Sequence, residues 1–269
     1  MNQPLTPTRP APGRGLNFYY LLLELKRQVT QPTTLFFCII LSPLFYALFS
    51  GMEGMDESLG HGNVSAAMAL FMALYGASMT AAISTVNVSF EVPLGWNRTL
   101  RLTPLRPWAY ITTKILNALL GSVLSMGVLY IVVLIMGKAH MVGWLWLAGF
   151  GIGFICGVTF GALGLLLGSF FKGETATGIL IPTLLFCCFL SGVFGVPLTG
   201  NFFIAMQKVV PMGGAVNLIL ALFGPNATMY TGIGGMALGD WRIWVNIGAW
   251  LFVLLTGAAI AYARNTKRQ

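Results

Sequence analysis

Apolar positions in this chain come in long continuous runs rather than in alternating or one-faced patterns. The runs cover about Thr33–Ser50, Val64–Val88, Trp108–Met136, Val142–Phe171, Thr175–Val196 and Ile243–Ala263. Each comes close to or exceeds the roughly 20 residues a helix needs to cross the hydrocarbon core of a bilayer. Inside that core a lipid-exposed backbone is satisfied only within helices or a closed barrel, and runs this long point to helices. The expected fold class is therefore an all-α polytopic membrane protein with six transmembrane helices forming one domain over residues 32–263.

The segments between the runs differ in kind. Residues 16–31 are apolar but end in charges, with Glu24, Lys26 and Arg27 ahead of Pro32, as in an amphipathic interfacial helix. Residues 1–15 carry Pro4, Pro7, Pro10 and Pro12 with Arg9 and Arg14, and read as a disordered tail. Before the last run, residues 197–241 hold two apolar pieces, Phe202–Val210 and Ala215–Phe223, broken by Pro211, Gly213-Gly214 and Gly224-Pro225. Both are too short to cross, so broken re-entrant or interfacial helices are expected there.

Composition strengthens this picture. Of the 269 residues 57% are hydrophobic and 8% charged, against roughly 25% charged in soluble domains. The net charge of +8 is too thinly spread over the chain to build a basic groove, which argues against a nucleic-acid partner. It reads instead as an orientation signal, because positively charged loops stay in the cytoplasm. With the N-terminus inside, twelve of the fifteen Lys and Arg fall on the cytoplasmic side, including the basic tail 264–269, and only Lys138, Lys208 and Arg242 fall outside. Both termini are then cytoplasmic, with contact to anionic lipid heads. Cys38, Cys156, Cys187 and Cys188 all lie within apolar runs and read as small apolar fillers.

Chemistry is limited by what the spans lack. No charged residue lies near the middle of a run; Glu91 and Lys114 sit at run ends. This argues against ion-coupled carriage and against an intramembrane hydrolase. The chain also has no GxxxxGK[ST] phosphate-cradling loop, so energy from ATP requires another polypeptide. Attention shifts to the loops as docking surfaces. In loop 91–106, Glu91 and the Pro93/Gly95 pair end the second run, and Trp96–Leu102 can form a short helix with Trp96 and Leu100 on one face and Arg98 and Arg101 on another. Such an element suits a lever pressed into a soluble partner; periodicity alone equally fits a membrane-surface loop.

Glu91, Gly95, Thr99-Leu100, Leu102-Thr103-Pro104-Leu105-Arg106-Pro107, Tyr110 and Lys114 resemble the pattern that follows the second span in type-2 ABC (ATP-binding cassette) permeases, the separate-permease type that includes drug, antibiotic and nodulation-factor exporters. Two places depart from it, Trp96-Asn97-Arg98 and Met212-Gly213-Gly214. The resemblance implies a coupling helix that docks on an ATPase through Glu91, Trp96, Arg98, Leu100, Arg101 and Leu102. It also implies a connecting helix carrying Glu24, Lys26 and Arg27, and a weaker second contact at Lys172 and Glu174, for which a solvated turn is the alternative. The partners it implies are two copies of a separate ATP-binding cassette subunit and a second permease chain, in a bacterial plasma membrane. ATP and Mg would sit on the partner ATPase, with no cofactor on this chain.

Two further features bear on packing and substrate. Four-residue spacing places Gly149, Gly153, Gly157 and Gly161 on one helix stripe, which permits close packing within or between subunits. Met68, Met72, Phe186, Phe189 and Phe194 are candidates for an apolar substrate path, with lipid-facing filler as the alternative. The function expected is the permease subunit of an exporter for an amphipathic or hydrophobic substrate. The alternative is a non-pumping pore or an immunity or sensor subunit.

Overall fold

The computed structural model describes residues 22–23, 26–27, 30–91, 107–195, 201–224, 227 and 238–267. Among the described residues, six helices are long and apolar enough to span a membrane. We number the helices α1 (Pro32–Phe49), α2 (Val64–Val86), α3 (Pro107–Met136), α4 (Gly143–Phe170), α5 (Glu174–Ser191), α6 (Asn201–Val209), α7 (Gly213–Phe223) and α8 (Trp241–Lys267). A single turn, Val88–Glu91, prolongs α2 past Asn87. All but α6 and α7 span, and the described residues contain no β-strand, only two isolated bridges.

Local chemistry sets the helix ends. Pro32 is the first residue of α1 and holds Gln31 extended, at ψ 126°. The first half of α1 widens into a π-helical segment, Leu35–Ile40. Asn63 caps α2 by accepting from the Ala66 amide at 3.0 Å. Gly192, at φ +81°, closes α5 at Ser191, five residues before the end expected from hydropathy at Val196. The first apolar piece of the broken segment forms α6 and the second forms α7.

The fold is organised around α2, which is wholly buried in the bundle. Hydroxyls from the surrounding helices donate to its backbone carbonyls: Ser42 of α1 to Met72 at 2.7 Å, and Ser122 of α3 to Ala77 at 2.8 Å. Tyr46 of α1 meets Ser65 at 3.0 Å. Toward α4 the direction reverses, Thr85 of α2 donating to the carbonyl of Gly161 at 2.8 Å. Here lies the glycine stripe, and it packs within the chain. A β-carbon at Gly149 would lie 2.5 Å from Leu70, one at Gly157 3.0 Å from Ser122 Oγ, and one at Gly168 3.0 Å from the carbonyl oxygen of Val86. At Gly164 it would collide with the Ala82 carbonyl and Thr85 Oγ1. The missing side chains let two backbones approach and share hydrogen bonds that lipid would not supply.

The bundle has two ends. At the first, residues 51–63, the α3–α4 turn and the end of α7 meet: Gly62 bridges Met141, the His61 amide donates to the Phe223 carbonyl at 3.0 Å, and the Asn63 amide group donates to the Lys138 carbonyl at 2.8 Å. At the second lie Gln31, residues 87–91 and the α4–α5 turn.

Candidate functional site

The second end is where the docking residues expected from sequence are to be sought. Lys26 and Arg27 are helical and exposed, and Thr30 donates to the carbonyls of both, at 2.9 and 3.1 Å. That helix stops at Gln31, the elbow before α1. Lys172 and Glu174 are exposed on the α4–α5 turn, and Gly173 between them has φ +53°. The turn is fastened to the end of α2: the Gly173 amide donates to the Ser89 carbonyl, and Ser89 Oγ donates to the Gly173 carbonyl, both at 3.3 Å. Asn87 Nδ2 donates to Gln31 Oε1 at 2.9 Å. Glu91 is the last residue of the turn prolonging α2. The structure thus gathers the elbow, the α4–α5 turn and the departure point of loop 91–106. Glu24, Trp96, Arg98, Leu100, Arg101 and Leu102 lie outside the described residues.

Lys114, which hydropathy places at a run end, is buried there, 2% exposed, on the second turn of α3 beside buried Thr113 and Asn117.

Between α5 and α8 the chain dips into the bundle and returns. Its tip, Val210–Gly213, is held by Asn246 of α8, whose Nδ2 lies 2.8, 3.3 and 3.2 Å from the carbonyl oxygens of Lys208, Val209 and Val210. Asn246 Oδ1 accepts from the Gly214 amide at 3.1 Å, and Trp250 Nε1 donates to the Val209 carbonyl at 2.6 Å. Gln207 ties α6 to the Ser191 carbonyl of α5 at 3.2 Å, and Met212 meets Cys188 sulfur to sulfur at 3.6 Å. Glycine is required at the tip: a β-carbon at Gly213 would collide with the Gln207 carbonyl, and one at Gly214 would lie 2.8 Å from Asn246 Oδ1. From there α7 climbs 11 residues to the first end, about 16 Å at 1.5 Å per residue. The pair is a helical hairpin. Sequence reasoning found its breaks but missed Asn246, the clamp; an asparagine in an apolar run was the available signal, since a polar group there needs partners.

The candidate path residues fall into two groups. Met68 and Met72 are buried, and Phe194 packs edge-on against Phe45 at 5.4 Å and obliquely against Tyr75 at 5.8 Å. Met68 and Met72 belong to the buried core around α1, α2 and the end of α5, and Phe194 packs against it partly buried. Phe186 and Phe189 are exposed on the outer face of α5. The first three thus lie apart from the exposed pair on α5. An open hollow of about 590 Å³ does lie at the first end, among Asp56, His61, Asn63, His140 and Met141.

A bundle with six helices long and apolar enough to span, a helical hairpin and polar turns gathered at one end fits a multi-pass membrane protein. Residues 19–224 match the family model described as "ABC-2 type transporter", and the chain belongs to that family. It is also 26% identical over 162 residues to "Putative transport permease YvfS" of Bacillus subtilis (strain 168), a match covering 59% of this chain and 64% of that protein. The chain thus spans a little under two thirds of the length of that relative.

Proposed function

We propose that this chain is the membrane half of an ATP-driven exporter of an amphipathic or hydrophobic substrate, such as a drug, antibiotic, peptide or lipid-like molecule, in a bacterial plasma membrane. Two permease chains, identical or different, pair through their spans and dock two copies of a separate ATP-binding cassette subunit, which carries ATP and Mg. The observation that carries this reading is the gathering, in a chain of this family, of the Gln31 elbow, the end of α2 and the Lys172–Glu174 turn at one end of the bundle. The excess of Lys and Arg assigns that end to the cytoplasm. Loop 91–106 leaves from it, with Trp96–Leu102 as the coupling helix. Because α2 is hydrogen-bonded to α1, α3 and α4, a push on its end moves the bundle as packed units rather than one helix alone.

The test is a Trp96→Ala/Arg101→Ala double variant. Tryptophan and arginine at an interface centre each contribute about 2 kcal/mol or more. If the two losses add, association with the ATPase should weaken roughly a thousandfold, while the extracted permease keeps its wild-type unfolding temperature. An unchanged yield of bound ATPase in pull-downs from membranes would refute the docking assignment.

A further inference from the structure

Resting on that reading, we infer that Asn87 and Ser89 are positioning residues that divide a displacement arriving at the end of α2 into two branches, one to α1 and one to α5. Both lie within four residues of Glu91, where the loop departs, and each is bonded to a different element. Asn87 Nδ2 donates to Gln31 Oε1 at 2.9 Å. Gln31 is the extended residue between the preceding helical turns and α1, so its side chain reports directly on the elbow. Its neighbour Pro32 fixes that geometry, and the π-helical Leu35–Ile40 follows within one turn, a wide segment suited to absorbing displacement.

Ser89 serves the other branch. It is 1% exposed, and its hydroxyl and carbonyl form a reciprocal pair with the carbonyl and amide of Gly173. Gly173 has a left-handed φ of +53°, and a β-carbon there would lie 3.6 Å from the ring of Phe90, so the turn sits directly on the end of α2. Gly168 seats the end of α4 against the same place, its absent β-carbon 3.5 Å from the Ser89 amide nitrogen. Small residues and paired polar groups make this junction stiff: nothing flexible intervenes between residue 89 and the first residue of α5. The side-chain bonds are part-buried, and such groups are costly to leave unpaired, which favours the elements moving together.

The experiment uses the complex of full-length permease with its co-purified ATPase, with and without trapping by Mg-ATP and orthovanadate. Amide hydrogen exchange is followed over residues 33–37 and 174–180. In the wild type, trapping should change exchange in both segments. Asn87→Ala should cut the change at 33–37 at least fivefold and spare 174–180. Ser89→Ala, which leaves the backbone bond, should at least halve the change at 174–180 and spare 33–37. The swap Asn87→Gln/Gln31→Asn should restore the first branch, separating lost pairing from lost folding. Wild-type responses in both single variants, or equal loss of both segments in each, would overturn the two-branch assignment. A wild-type chain that binds no ATPase at all would overturn the exporter reading instead.

Discussion

Gly164→Val should strongly destabilise the packed bundle. A β-carbon there collides with the carbonyl of Ala82 and with Thr85 Oγ1, and the first of these is backbone of the buried central helix. It cannot rotate away, and Thr85 is itself committed to the Gly161 carbonyl at 2.8 Å. Overpacking in a well-filled core commonly costs 1–3 kcal/mol. A branched side chain against fixed backbone belongs at the top of that range, so about 3 kcal/mol and a roughly hundredfold loss in the folded ratio are expected. Gly164→Ala should show the same defect in milder form. Gly151 provides the control: it lies on the same helix, and a β-carbon there meets nothing within 4 Å. Gly151→Val should extract as a monodisperse protein with an unchanged unfolding temperature, whereas Gly164→Val should elute largely as aggregate. Equal behaviour of the two variants would show that α2 and α4 are not packed as described.

Asn246→Ala should release the α6–α7 hairpin while leaving the six long helices assembled. One side chain lies within hydrogen-bonding distance of the carbonyls of Lys208, Val209 and Val210 and accepts from the Gly214 amide. Removing it strands backbone groups where water is scarce, at roughly 1–3 kcal/mol for each group left unsatisfied. The sulfur of Met212, at the hairpin tip, touches Cys188, which is fully buried on α5, and this supplies a native reporter. Modification of Cys188 by N-ethylmaleimide, followed by mass spectrometry, should proceed at least tenfold faster in Asn246→Ala than in the wild type. Asn246→Gln, which keeps the amide but misplaces it, should fall between. If Cys188 remains as protected in Asn246→Ala as in the wild type, the hairpin is held by apolar packing and not by this clamp.

Most of the helical architecture was legible because its cause is local. Runs of about 20 apolar residues bounded by Pro, Gly and Asn already dictate spans, and α1, α2, α3 and α4 begin or end within a few residues of the runs that predict them. The glycine spacing in α4 likewise revealed a close approach, though it could not say whether the neighbour was α2 of the same chain or another subunit. Where the sequence misled, the cause was tertiary. α2 is apolar around its whole circumference, so no face pointed inward, and its burial on all sides appears only when α1, α3 and α4 close around it. Phe186 and Phe194 look alike in a hydropathy profile; one faces outward from α5, and the other folds back past Gly192 into the core. Asn87, Ser89 and Asn246 act through partners 56, 84 and about 32–38 positions away in the chain, a separation that no short-range pattern encodes.

The central claim is that this permease takes its energy from another polypeptide. It is tested most directly by purifying the tagged full-length chain from its native membrane in mild detergent and measuring ATP hydrolysis and subunit composition together. We expect a complex holding one ATP-binding subunit per permease chain, identified by its own GxxxxGK[ST] loop, with vanadate-sensitive ATPase activity. A permease recovered alone from membranes in which that ATPase is expressed, with no ATP hydrolysis, would contradict the account and favour a non-pumping role.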